Sequence, residues 1–236
     1  VADTGPSLAP ILGRLKHASA VRSIAVQPGS GHVACGQELQ RVVLWNPNTK
    51  KRVEELTGRL GRRLAWSDDG RWLAHGSSSA ITLTDRKLGE QVVLAKRTRA
   101  FLFAPGSGSV SYGDAGKWQR YNLSSGETRT VVEIPDPPIR SAAVSLDGSR
   151  VALVGAKGGI WLFARKNEQL TKLVSFPRLG FAAGDPTHVE FQPGNAAGTT
   201  LMYQHGSSIL LYKDLEKSKS PTGLGPSNVS ASTFTP

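Results

Sequence analysis

Cysteine and methionine are almost absent from this chain, which has one of each, Cys35 and Met202, among 236 residues. A single cysteine excludes an internal disulfide and is typical of a reducing compartment such as the cytosol or the nucleus. Cys35 lies in the apolar run Val33-Ala-Cys-Gly, which predicts a small buried side chain rather than a nucleophile. The rarity of methionine and the opening Val1 favour a piece of a longer protein.

Long hydrophobic runs are also lacking. No stretch reaches the roughly 18 apolar residues that a membrane-spanning helix needs, and no signal-peptide core is visible. Acidic residues are scarce as well, with 18 Asp and Glu against 29 Lys and Arg, for a formal net charge of +11. Such an excess favours an acidic protein, a nucleic acid or an anionic membrane surface as partner. We expect an intracellular protein, in the nucleus or the cytoplasm.

Residues that could catalyse a reaction or bind a metal are scattered along the chain. The histidines fall in different parts of the chain without helical i, i+4 spacing, and zinc requires clustered His or Cys ligands. Asp68 and Asp69 are adjacent in a turn, where neighbouring side chains point apart, so Asp69 is expected to cap backbone amides. The glycine-rich loops at Gly106 and Gly155 lack phosphate-loop spacing and a following helix. We predict no catalytic residue, no metal and no cofactor, and therefore no enzyme. The histidines are His17, His32, His75, His188 and His205.

What the sequence does contain is a repeat. Five turns rich in Pro, Gly, Asp and Ser begin at positions 40, 37, 41 and 47 residues apart. A period of about 40 residues with several short strands per unit is the signature of β-propeller blades. The turns begin at Gln27, Ser67, Ala104, Ser145 and Gln192.

The units define the expected architecture, an all-β propeller with at least five four-stranded blades. The blades are predicted at about 13–56, 57–95, 96–134, 135–176 and 177–216. Residues 1–12 are expected to be an N-terminal extension, and residues 217–236, rich in Pro, Gly and Ser, a tail or linker.

The third strand of each unit closes on one equivalent position. An aromatic residue occupies it in four units, and we expect these side chains to wedge between adjacent blades. The position holds Trp45, Thr84, Tyr121, Phe163 and Tyr212.

These residues resemble degenerate WD repeats. His17 matches the family's Gly-His position without its glycine, Trp45-Asn46 stands where the family has Trp-Asp, and Thr84-Asp85 keeps the acidic half. The Ser67-Asp-Asp-Gly and Ser145-Leu-Asp-Gly turns are similar to the family's Ser-Pro-Asp-Gly hairpin. The resemblance covers about residues 13–215 and implies a closed ring, usually of seven blades. A missing blade or one supplied by a partner would add to the five that can be counted.

A narrower resemblance concerns the aladin-type WD-repeat nucleoporins. It is carried by Leu162-Phe-Ala-Arg-Lys-Asn, Gly180-Phe-Ala-Ala-Gly-Asp-Pro, Phe191-Gln-Pro, Leu15-Lys-His and Val33-Ala-Cys-Gly-Gln. This resemblance implies a scaffold of the nuclear pore complex at the nuclear envelope, recruited by a membrane-spanning pore protein.

Basic clusters recur in the loops that join one unit to the next. Because such loops emerge on one face of a propeller, we predict a shared cationic patch, although solvated loop charge would give the same pattern. A second basic set in the hairpins between third and fourth strands should lie on the opposite face. The predicted interaction patch is Arg59, Arg62, Arg63, Lys96, Arg97 and Arg99, and the hairpin set is Lys50, Lys51, Arg52, Arg86, Lys87, Arg165 and Lys166.

The sequence thus predicts a non-catalytic WD-repeat scaffold that holds other protein subunits in a large assembly. An alternative is a basic propeller of a ribonucleoprotein, such as a ribosome-assembly complex, that contacts RNA through these loops. RNA binding would add stacking aromatics beside the charges; the loops carry none, so protein partners rank higher. A third alternative, an enzyme with its site at the mouth of the central channel, would need convergent titratable groups there.

Overall fold

Twenty short β-strands form the regular structure of this computed structural model. The structure describes residues 15–38, 41–57, 61–76, 80–96, 100–106, 108–166, 169–176, 186–192, 200–205, 208–213, 215 and 222–226. Within these ranges no helix is found. Short strands separated by Gly- and Pro-containing turns are what the spacing of turn residues predicts.

The strands group in chain order into five blades. Blade 1 contains β1 (Val21–Val26), β2 (Val33–Gln37), β3 (Arg41–Asn46) and β4 (Lys51–Thr57). Blade 2 contains β5 (Arg63–Trp66), β6 (Trp72–Gly76), β7 (Ala80–Asp85) and β8 (Gln91–Lys96). Blade 3 contains β9 (Phe101–Phe103), β10 (Ser109–Asp114), β11 (Lys117–Asn122) and β12 (Thr128–Glu133). Blade 4 contains β13 (Ser141–Val144), β14 (Arg150–Val154), β15 (Ile160–Lys166) and β16 (Gln169–Phe176). Blade 5 contains β17 (Pro186–Phe191), β18 (Leu201–His205), β19 (Ser208–Tyr212) and β20 (Thr222–Pro226).

Each blade is an antiparallel sheet in which every strand pairs with its neighbour in sequence. The pairing register repeats from blade to blade: Val26 faces Val33 in blade 1, as Trp66 faces Leu73 in blade 2. The innermost strands of consecutive blades contact each other, from β1 and β5 through β13 and β17. The chain is a five-bladed β-propeller, which confirms the predicted fold class.

The core lies between the blades. Four apolar clusters each join one blade to the next; in the first, Ala34 and Leu44 of blade 1 pack with Leu64 and Trp66 of blade 2. The remaining clusters join blades 2 and 3, blades 3 and 4, and blades 4 and 5. Because both faces of an interior blade are covered, strands β6 and β14 read as continuous apolar runs and are buried almost throughout.

Tight turns at one end of the blades connect the first strand to the second and the third strand to the fourth. In blade 2, Asp69 Oδ1 accepts from Arg71 N at 3.0 Å, and Ser67 Oγ accepts from Trp72 N at 2.9 Å. Gly70 has a φ of 67°, a left-handed value that favours glycine. The predicted capping role of Asp69 is therefore confirmed. We call this end the turn face (residues 27–32, 47–52, 67–71, 86–90, 104–106, 122–127, 145–149 and 165–166).

The opposite end holds the connections between blades and those between second and third strands. We call it the entry face (residues 61–62, 115–116, 134–140 and 155–159). On the turn face neighbouring blades are linked directly: Gln27 Nε2 donates to Gly70 O at 2.7 Å, and Gly106 N donates to Asp68 Oδ2 at 2.6 Å. Adjacent blades are thus joined by polar contacts as well as by apolar packing.

Two sequence-based expectations differ from the structure. The fifth blade does not end at 216, because β20, Thr222–Pro226, pairs with β19 and lies in the segment predicted as a tail. Trp45 contacts the ring of His17, with the ring centres 5.3 Å apart, and belongs to none of the described inter-blade clusters. Phe163 and Tyr212, in contrast, are buried between blades as predicted.

Candidate interaction surfaces

Only part of the predicted basic patch falls among the described residues. Arg59, Arg97 and Arg99 fall outside the described residues. Lys96 is the last residue of β8, so its backbone reaches the entry-face end of blade 2. Arg62 is exposed, and its backbone N–H donates to Gly76 O at 3.0 Å. Because this hydrogen bond fixes the backbone at the edge of the blade, Arg62 presents its charge to solvent.

Arg63 is directed away from that patch, towards the centre of the ring. Its Nη2 donates to Ala142 O of blade 4 at 3.1 Å, and its guanidinium carbon lies 5.6 Å from the ring centre of Phe101 in blade 3. Loss of hydration lowers the pKa of Arg63 to about 10, and the charge of Glu190 in blade 5 opposes this shift. Arg63 therefore links neighbouring blades at the middle of the propeller and does not contribute its charge to the surface patch.

The centre of the ring is a feature that the sequence reading missed. The equivalent inner-strand position carries small residues in three blades and a long cation in blade 2. In blade 5 His188 occupies it, with Nε2 3.2 Å from Glu190 Oε2. In the sequence, the arginine stands out because most of the equivalent inner-strand positions carry short side chains. The repeat alone, however, does not show where its guanidinium points. The equivalent residues are Ser23, Arg63, Ala100, Ser141 and His188.

Cations on the turn face are partly neutralised by the protein's own carboxylates. Arg86 of blade 2 forms an ion pair with Glu54 of blade 1, and Arg52 pairs with Glu55 at 2.6 Å. Arg165 Nη1 donates to Gly148 O at 3.4 Å. The lysines of the set are exposed and form no ion pair within the described part of the chain. They are Lys50, Lys51, Lys87 and Lys166.

The carboxylate of Asp85 has a structural role. Both oxygens of Asp85 accept from Arg71, with Nε at 3.1 and 3.0 Å, and Oδ1 also accepts from Lys87 N at 2.8 Å. The hydrogen bonds from Arg71, and to a smaller degree those from backbone amides, lower the pKa of Asp85 to about 2 against the opposing effect of burial. Asp85 thus anchors the hairpin between the third and fourth strands of blade 2.

The glycine-rich loop at Gly155 is filled by the protein itself. Lys157 N donates to both carboxylate oxygens of Asp136, at 3.0 and 2.9 Å. Gly158 has a φ of 85°, a left-handed value that favours glycine in a tight turn. The amide that would otherwise face an anion is occupied by Asp136, and the loop is a turn rather than a phosphate cradle.

His17, His75 and Cys35 also make contacts that are structural. His17 Nδ1 lies 2.9 Å from Gln37 Nε2, beside Trp45, and His75 Nε2 lies 3.1 Å from Thr84 Oγ1. Cys35 is buried, as predicted, and burial raises the pKa of its thiol. Among the described residues, no three His, Cys, Asp or Glu side chains come together as metal ligands would.

In the described ranges, no helix is long and apolar enough to span a bilayer. Compared with known proteins, the chain matches no family model and no curated protein.

Proposed function

We propose that this protein is a non-catalytic scaffold of the WD-repeat type, which holds other protein subunits together in a larger assembly. One observation carries the proposal: several carboxylates of the blades cap turns or pair with arginines, whereas cations at both ends of the propeller face solvent. Asp69 and Asp85 illustrate the first group, and Arg62 and Lys87 the second. A rigid propeller whose loops carry exposed positive charges is suited to binding acidic segments of other proteins.

The burial of two tryptophans supports protein partners over RNA. Trp66 and Trp72 lie close in sequence to the basic loops, but each is only 8% exposed. Trp66 also donates its indole N–H to Ala25 O at 3.3 Å. Binding of single-stranded RNA relies on aromatic faces on which bases stack, and neither side chain offers one.

The more specific proposal is a subunit of the nuclear pore complex, resembling the aladin-type nucleoporins. It is supported by the sequence similarities at Leu15-Lys-His, Val33-Ala-Cys-Gly-Gln and Leu162-Phe-Ala-Arg-Lys-Asn, and by the propeller fold. In this proposal the protein acts at the nuclear envelope, where a membrane-spanning pore protein recruits it.

Crosslinking in intact cells, followed by purification of the tagged protein and identification of what travels with it, tests this proposal. Protein subunits of the nuclear envelope are the expected result. Recovery of pre-ribosomal RNA, or of the free chain alone, contradicts it. Salt titration of the recovered complex distinguishes a protein partner from RNA. For single-stranded nucleic acid, the logarithm of the binding constant falls by roughly 0.7 per phosphate contact for each tenfold rise in salt concentration.

Two variants of equal charge identify the face that binds. The first changes Arg62, Arg97 and Arg99 of the predicted interaction patch to glutamine; the second changes Lys50, Lys51 and Lys87 to glutamine on the turn face. Each removes the same charge, so a difference in partner recovery reports position rather than net charge. We expect the interaction-patch variant to lose the partner and the turn-face variant to retain it.

A further inference from the structure

Strand β1, the innermost strand of blade 1, leaves large apolar side chains in solvent. Ile24 is 67% exposed, Val26 is 61% exposed and Val21 is 39% exposed. On the same strand Ala25 points to the other side, where it packs in the cluster shared with blade 2. One face of blade 1 is therefore covered, and the alternate positions of its innermost strand on the other face are not.

The repeat shows what normally covers these positions. Counting back from the turn, Ile24 and Val26 correspond to Leu64 and Trp66, which pack against blade 1 and are each 8% exposed. In blades 3 to 5 the residues equivalent to Ile24 are 1% exposed or less. They are Phe101, Ala142 and Val189. In each of these blades the position is buried against the preceding blade, so among the described residues blade 1 lacks such a neighbour.

Most of the faces that fill this role share a composition. In blades 1, 2 and 4 the side that receives the next blade carries alanine near the ring axis, so that the inner strand of that next blade can approach closely; blade 3 carries Leu102 and Ser111 there. The innermost strands contribute Ala25, Ala65 and Ala143, and the second strands contribute Ala34, Ala74 and Ala152.

Blade 5 does not have this composition. At the positions equivalent to these alanines it carries Glu190 on β17 and Met202 on β18. Glu190 is held by His188, and its charge acts on Arg63. Within the described residues, β17 and β1 do not pack against each other as the other neighbouring inner strands do. The exposed face of β1 therefore fits a sheet other than blade 5 as its neighbour.

A second copy of this chain is also a poor match, because a protein with a formal net charge of +11 repels itself. Charge complementarity favours an acidic partner instead. From these observations we propose that Val21, Ile24 and Val26 form the docking surface for a β-blade of another, acidic polypeptide. That blade presents alanine or glycine near the ring axis and packs as a blade preceding blade 1. This inference rests on the proposed scaffold function and names one of its contacts.

Site-specific photocrosslinking tests the inference. Benzoylphenylalanine replaces Ile24 in one variant and, as a matched control, Val93 in another, since Val93 is 59% exposed on the outer strand β8. We expect position 24 to crosslink at least about tenfold more than position 93. The crosslinked peptide should map to a small-residue strand in a β-blade of an acidic protein. Crosslinks to blade 5, to a second copy, or to nothing above the control overturn the inference.

Charge substitution provides the second measurement. Ile24→Asp combined with Val26→Asp should weaken binding of the crosslinked blade by about a hundredfold or more, because two aliphatic side chains lose their burial. Val93→Asp should leave binding unchanged. The melting temperature of the double variant should equal that of Val93→Asp; a much lower value means that this chain itself covers the two residues, and the inference fails.

Sedimentation of cell extracts distinguishes this inference from the broader proposal. If the wild type and the double variant both travel with the large assembly, the docking surface is wrong and the scaffold function stands. If the wild type sediments as a free chain, the scaffold function itself is wrong.

Discussion

The guanidinium of Arg63 in blade 2 lies 3.1 Å from the carbonyl oxygen of Ala142 in blade 4. The hydrogen bond bypasses blade 3, whose Phe101 ring lies beneath the same guanidinium. One side chain therefore ties together three blades at the axis of the ring. Its neighbour Arg62 is exposed on the entry face. Two consecutive arginines thus have different roles, one in stability and one at the surface.

Substitution of these two arginines by alanine should separate the roles. We expect Arg63→Ala to lower the free energy of unfolding by about 2 kcal/mol, because a charge-assisted hydrogen bond and an aromatic contact are lost. Arg62→Ala should change it by less than about 0.5 kcal/mol, as is usual for exposed residues. Urea denaturation measures both. Arg63→Lys should fall between the two, since lysine keeps the charge but not the planar contact; equal stability of all variants would contradict a central role.

Acid sensitivity should depend on Asp85. Its folded pKa, about 2, lies below the ordinary aspartate value of 3.8, so its contribution to stability is complete above about pH 4 and is lost as the pH falls through 2. Asp85→Asn should destabilise the protein by about 1.5 kcal/mol at pH 7 through loss of the bonds to Arg71. The difference from wild type should shrink between pH 4 and pH 2. Denaturant titrations across this pH range measure the effect, and Asp114→Asn, an exposed carboxylate, serves as control.

A pair of glycines isolates the contact between the turns of blades 1 and 2. Gly29 and Gly70 both have left-handed φ values, 79° and 67°. An added Cβ meets nothing within 4 Å at Gly29 but lies 2.6 Å from Pro28 O at Gly70. Gly29→Ala should therefore cost about 1 kcal/mol for the backbone conformation alone. Gly70→Ala should cost at least about 1 kcal/mol more, because the linked turns must move apart; thermal unfolding of both variants measures the difference.

The repeat made the fold predictable from sequence, because the turn chemistry at Ser67-Asp-Asp-Gly and Ser145-Leu-Asp-Gly is local. The hydrogen bonds that close these turns join residues at most five positions apart. Strand β20 was missed for the converse reason. Thr222-Gly-Leu-Gly-Pro has neither alternation nor β-branched residues beyond its threonine, and it is a strand because β19 offers an edge to pair with.

The site was less predictable, because its geometry depends on contacts distant in sequence. Arg63 was grouped with the loop cations on spacing alone, yet its partner Ala142 is 79 residues away. The exposed face of β1 could not be inferred from Val21-Arg-Ser-Ile-Ala-Val either, since equivalent runs in other blades are buried. Only the arrangement of the blades shows that, in the described part of the chain, no blade precedes this one.

The equivalent third-strand aromatics should therefore differ in their contribution to stability. Phe163 is 2% exposed between blades 3 and 4, so Phe163→Ala should cost about 3–5 kcal/mol through lost burial and the cavity left behind. Trp45 is half-buried and has His17 as its ring partner, so Trp45→Ala should cost about 1–2 kcal/mol despite removing a larger side chain. Urea unfolding of the two variants gives the comparison. A greater loss at Trp45 than at Phe163 would mean that the free side of blade 1 is covered in the isolated chain. The same result would argue against a docking surface on β1, so this pair of variants also checks the blade-binding inference without requiring the partner.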